Sequence, residues 1–145
     1  MSSYALICNP VSVWDFRGYF ASNPEYGYWC VTKTVFNSAK AGDRLYLRVT
    51  SADAQPGIHG RFLVDRKEVA EVDNRFWRED KHPDGVDRVI WFRNENYGIL
   101  TKPLSVATLR SLLPSTSRML NVPQARATEI PDSEADILDA AIFMP

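Results

Sequence analysis

Four tryptophans stand in this chain, at positions 14, 29, 77 and 91. An indole with no catalytic partner does one kind of chemistry well: it stacks on another planar ring. A base stacked on an aromatic side chain gains on the order of 1–3 kcal/mol, and the gain is sequence-tolerant. Two of the four sit near turn signals. Trp29 lies at the strand-like start GYWCV, just after Asn23-Pro24, and Trp77 stands in the charged stretch RFWREDKHPDG beside Arg75, Phe76, Arg78 and Lys81. Trp91, centred in the apolar run VDRVIWFR, is expected in the core. Trp14, next to Phe16 on a short helical stretch, suits either the core or a pocket rim. Trp77 has two readings of equal weight, a loop that presents its aromatics to a ligand or a loop that tucks them inward.

The residues that would support catalysis are missing from their usual patterns. The two histidines, His59 and His82, have no neighbouring cysteine or histidine at ligand spacing, so no zinc site is expected. Neither the G-x-S-x-G elbow nor the glycine patterns of dinucleotide and phosphate loops occurs. Asp80 and Asp84 could pair as carboxylates, but an Asp-rich stretch before Pro and Gly reads as a solvated turn. The expectation is a protein that is not an enzyme and needs no cofactor.

At 145 residues the chain suggests one domain over positions 1–145. Hydrophobic residues make up 45% and charged residues 24%, and such a chain buries roughly two thirds of the surface its unfolded form exposes. The net charge is −1, unevenly spread. Five acids lie from Glu129 onward and no Lys or Arg follows Arg126, so the body before Glu129 holds 17 basic against 13 acidic residues. A mildly basic body permits phosphate binding without demanding it. Cys8 and Cys30 lie in apolar runs and read as reduced core residues. No signal peptide or membrane span is apparent, which makes the cytoplasm the expected location.

The elements that must position the tryptophans follow from the pattern. Tyr4–Cys8 reads as a buried strand stopped at Asn9-Pro10. Val13–Phe20 has helical spacing, with Ser12 as its cap. Tyr28–Thr32 reads as a strand, Lys33–Ala41 as one helical turn or a loop, and Arg44–Thr50 as an alternating strand with Leu45, Leu47 and Val49 on one face and Arg44, Tyr46 and Arg48 on the other. Gly57–Asp65 is another strand with Gly60 at a bulge, and Val86–Arg93 is the most strand-like run. Tyr97–Leu100 suits a short strand, Val106–Leu113 a helix, and Ser133–Ile142 a closing amphipathic helix capped by Asp132 or Ser133. Five or six strands among three or so short helices imply an α+β fold around a strongly curved antiparallel sheet or barrel.

The ordered set YALICNP, GYWCVTKT, AGDRLYLRVTS and GIHGRFLV resembles the EVE domain family, within the PUA-like fold that also contains YTH domains. The late segment RMLNVPQARATEIPDSEADIL is similar to that family's closing segment, so the resemblance covers nearly the whole chain. It implies a small barrel with a pocket for a modified base, often one flipped out of a nucleic-acid strand. On the matching positions, Trp29 stands for the first cage tryptophan, Trp77 falls where later cage aromatics occur, and Asn9 and Pro10 line the pocket.

The function expected is therefore a non-catalytic reader. DNA or RNA carrying a modified, methylated base would sit among Asn9, Pro10, Trp14, Trp29, Phe76 and Trp77, while Arg48, Arg75, Arg78 and Lys81 hold the phosphate backbone. Trp29 is expected to be partly solvent-accessible at the pocket mouth, and its replacement by alanine to leave the fold intact. Two rivals remain: a small-molecule or protein interaction module using the same pocket, and a nucleic-acid-modifying enzyme built on Asp80 or Asp84.

Overall fold

The apolar runs at Ser3–Cys8 (β1) and Arg44–Val49 (β3) lie side by side and parallel, Tyr4 opposite Leu45 and Leu6 opposite Leu47. These strands come from a computed structural model that describes residues 1–10, 14–71, 75, 77, 86–93 and 98–144. The parallel pair departs from the antiparallel expectation. Parallel strands need a long crossover, and here it carries α1 (Phe16–Ser22), β2 (Tyr26–Cys30) and α2 (Lys33–Ser38). The other strands are β4 (Gly57–Glu71), β5 (Val86–Arg93), β6 (Ile99–Ser105) and β7 (Ala127–Ile130), and the remaining helices are α3 (Val106–Leu112) and α4 (Asp132–Phe143). The seven strands form one mixed sheet in the order β2-β5-β4-β3-β1-β7, with β6 also on β4.

Strand β4 joins the two halves of this sheet. Its first part pairs with β3 and β6 and its second part with β5. The register slips at His59, as Gly60 suggested, and again between Val64 and Arg66. Such bulges bend a strand and increase its twist, which curls the sheet around one large core.

That core is strongly aromatic. Phe20, Phe62 and Phe92 pack in series, with centroids 5.7 Å and 4.4 Å apart. Gly27 of β2 fits against them because a Cβ there would come within 2.4 Å of the Phe92 ring. At the turn before β3, Gly42 adopts φ +90°, a left-handed conformation that glycine tolerates. Asp43 beside it is buried and accepts from the backbone N–H groups of Ser2 (3.0 Å) and Lys40 (2.9 Å).

The opposite face of the sheet is buried as well, which the alternation in Arg44–Val49 does not suggest. Helices α3 and α4 cover it, packing Leu109, Ala135 and Leu138 around Tyr46 and Ile58. All six residues of β3 are consequently buried. Arg44 keeps its charge there by donating to Asp136 (2.8 Å) and Asp139 (3.1 Å). Arg61 also bonds Asp139, as does the Tyr46 hydroxyl at 2.7 Å. Burial alone would raise the Asp139 pKa, but these donors outweigh it and hold the carboxyl below its usual range. Two helix caps differ from expectation. Asp15, rather than Ser12, caps α1 by accepting from Gly18 N–H, and Pro131 occupies the N-cap of α4 without a side-chain bond.

Candidate functional site

Three of the four tryptophans converge. Strand β2 carries Trp29 into the core, and an isolated bridge pairs Trp14 with Trp77 beside it. The Trp14–Trp29 centroids lie 5.0 Å apart with planes at 71°, Trp29–Trp77 5.6 Å apart at 30°, and Trp14–Trp77 6.0 Å apart at 41°. Tyr19, Tyr28 and Phe20 also pack on Trp14, at 5.2, 5.9 and 6.3 Å. The edge-to-face and tilted geometries are those that aromatic quadrupoles favour.

Hydrogen bonds fix two of the three indoles. Trp29 Nε1–H donates to the Arg126 carbonyl at 2.7 Å, and Trp77 Nε1–H to the Tyr28 hydroxyl at 2.7 Å. The Trp14 N–H is buried and has no partner among the described residues. An unsatisfied buried donor costs about 1–3 kcal/mol, an unusual feature in the middle of a core.

Trp29 is 0% exposed, which corrects the expectation of a partly accessible ring at a pocket mouth. The reason is positional: Tyr28, Trp29 and Cys30 are all buried, because β2 is covered on both faces and not on one. The rings that enclose Trp29 are aromatic, so the three tryptophans do meet, but they meet closed. A planar ring sandwiched between two others needs them about 7 Å apart, twice an ordinary contact of 3.5–4.0 Å. The Trp29–Trp77 separation is shorter than that.

Trp91 is the converse correction. It is half-buried, with the Arg66 guanidinium 5.0 Å above its ring, and helps line a surface hollow of about 480 Å³ together with Tyr19, Tyr26 and Tyr28. Its neighbours Ile90 and Phe92 take the interior positions of β5.

Arg48 does not reach a backbone-binding surface. It is buried, and its guanidinium donates to the carbonyls of Met119 (2.7 Å) and Val49. Burial lowers its pKa, and the covering of the outer sheet face explains why an apparently exposed strand position is interior. Arg75 is exposed. Asn9 is half-buried, and its carbonyl accepts from the backbone N–H of Trp14 at 3.1 Å, while Pro10 beside it is buried. Phe76, Arg78, Lys81, Asp80, Asp84 and His82 lie outside the described residues. His59 is buried, with Nε2 2.6 Å from the Gln55 carbonyl and Nδ1 3.1 Å from the Arg17 guanidinium. Burial pushes its pKa down, so the ring is neutral, donating from Nε2 and accepting at Nδ1.

The residue that sequence reasoning missed is Arg126. Its guanidinium lies 5.3 Å from the Trp77 ring and 3.3 Å from Asp87, with 39% of the side chain exposed, while its own carbonyl holds Trp29. Cys30 stands beside the same pair. Burial first, then the Asp87 charge, pushes its thiol up to about 12, so it is no nucleophile at neutral pH.

Comparisons with solved structures agree on the fold. The chain resembles human THYN1 in complex with DNA containing 5-methylcytosine (TM-score 0.68, 12% identity, covering 100% of this chain and 99% of that one). It also resembles the DUF55 domain of human thymocyte nuclear protein 1 (0.62, 13%, 99% and 100%) and the Mmi1 YTH domain complexed with RNA (0.60, 15%, 98% and 77%). No family model matches the sequence, and no curated protein matches it either. The fold is thus the α+β, PUA-like fold of EVE-type and YTH domains.

Proposed function

We propose that this protein binds nucleic acid that carries a modified base, and does so without catalysis. The observation that carries the reading is the meeting of Trp14, Trp29 and Trp77 under a half-exposed arginine. Solved structures of this fold include one with methylcytosine-containing DNA and one with RNA, which supports a nucleic-acid partner.

The division of labour follows from the chemistry. Indole faces reward burial of a methylated ring, since a methyl-sized group gains roughly 0.8 kcal/mol on leaving water. Arg126, beside Trp77, is suited to a phosphate next to the bound base, and the exposed Arg75 lies two residues from Trp77 in the sequence. The base edge would be read by polar groups at the end of β1, where Asn9 stands.

A salt series tests this. Binding of a short methylated oligonucleotide should weaken steeply as salt rises, because phosphate contacts release counterions. Arg126→Ala should weaken binding to all sequences alike and reduce the slope by about one. An affinity indifferent to salt would instead favour the small-molecule or protein interaction module.

A further inference from the structure

Three indoles meet in the cluster and, among the described residues, only two are tied by hydrogen bonds. Their centroid separations of 5.0, 5.6 and 6.0 Å are nearly equal, so every ring touches the other two and no fourth ring fits between them. Trp29 and Trp77, 5.6 Å apart, admit no ring between them, so a base can pack against this cluster only where one of the three indoles gives up its place. Moving Trp29 breaks its bond to the Arg126 carbonyl and disturbs β2. Moving Trp77 breaks its bond to Tyr28 and its contact with the Arg126 guanidinium. Moving the Trp14 side chain gives up packing on Tyr19, Phe20 and Tyr28 but breaks no hydrogen bond to the described residues, and it delivers a stranded N–H to water. The Trp14 main chain is held meanwhile, its N–H by the Asn9 carbonyl and its own carbonyl by Phe16 N–H, both at 3.1 Å.

We infer that Trp14 is the built-in occupant of the aromatic pocket: its indole keeps the place of a planar heteroaromatic ring against Trp29 and Trp77, and a base enters by displacing it. The inference rests on the nucleic-acid reading above and adds how that site is regulated. A self-occupied pocket lowers the apparent affinity for every base by the fraction of time it stands open. The seat therefore sets how tightly the site binds, and the preference for a methylated ring comes from the indole faces themselves.

The test compares wild type with Trp14→Ala and Trp14→Phe, using a single-stranded oligonucleotide with one 5-methylcytosine. Emptying the seat should tighten binding at least about fivefold for Trp14→Ala and about twofold for the smaller ring of Trp14→Phe. Weakening to the level of Trp29→Ala would make Trp14 a fixed wall and overturn the inference. Should Trp14→Ala not fold, Trp14→Phe carries this arm. A second readout needs no nucleic acid: free indole should raise the melting temperature of Trp14→Ala and leave wild type unmoved. The absence of any shift in Trp14→Ala would also overturn the inference. If no variant binds any oligonucleotide, the nucleic-acid reading falls and the displacement inferred from it falls too, while stabilisation of Trp14→Ala by indole then shows only a seat that accepts a planar ring.

Discussion

Trp29→Ala should destabilise this protein far more than Trp91→Ala, the reverse of what strand position alone suggests. The Trp29 ring is 0% exposed and packs against both Trp14 and Trp77. Removing it leaves a cavity in a region that hydrogen bonds hold open, and a buried Trp→Ala change of this kind costs about 3–5 kcal/mol. The hydrogen bond itself is a small part of that loss, about 1 kcal/mol, because the Arg126 carbonyl keeps its bond from Ile7 N–H at 2.8 Å. For a chain of this length the change should lower the melting temperature by roughly 10 °C or more. Trp91 is half-buried, and its loss removes the Arg66 contact and part of its packing on Tyr28, together about 1–2 kcal/mol. Urea unfolding of both variants, with the slope checked for constancy, separates the two cases. A Trp91→Ala loss equal to or larger than that of Trp29→Ala would refute the placement of Trp29 in a closed core.

Two further outcomes follow from the outer face of the sheet. Arg48→Ala should lose about 1–3 kcal/mol, because the Met119 and Val49 carbonyls lose their donor; where the variant is folded, its oligonucleotide affinity and salt slope should match wild type. Asp139 is held below the usual carboxylate range in the folded state, so its contribution is complete above the unfolded pKa of about 3.9 and is lost as pH falls through the lower folded value. Denaturation midpoints below about pH 4 should therefore drop more steeply in wild type than in Asp139→Asn.

Much of the fold could be read from periodicity, because β1, β3, β5 and the first half of β4 are apolar runs; β4 extends past the expected end at Asp65 to Glu71 through the polar stretch RKEVAE. Strand β7 escaped notice, since the four residues ATEI show no alternation and gain their strand form by pairing with β1. The short strand read at Tyr97–Leu100 catches only the start of β6; Pro103 masks the rest, and among the described residues β6 pairs with β4 alone, so a missing N–H is tolerated. Parallel pairing of β1 with β3 depends on the whole crossover, which no local pattern encodes. The site was legible in part. Trp29 and Trp77 were singled out by their position near turns and do meet, but the sequence does not say that they meet closed. The error at Arg48 has one cause: alternation marks a polar face only when nothing covers it, and α4 covers this one through Tyr46 and the Arg44–Asp139 pair. Arg126 lies far from every tryptophan in sequence, and only the fold brings it to Trp77.

The most direct test of the account is the affinity of wild type for two oligonucleotides that differ by a single base methyl, measured alongside Trp77→Ala. Wild type should prefer the methylated strand by at least about fourfold, the equivalent of burying one methyl at roughly 0.8 kcal/mol, and Trp77→Ala should bind both strands alike. Equal affinity of wild type for the two strands, or a preference that survives unchanged in Trp77→Ala, would contradict a modified-base site in this aromatic cluster.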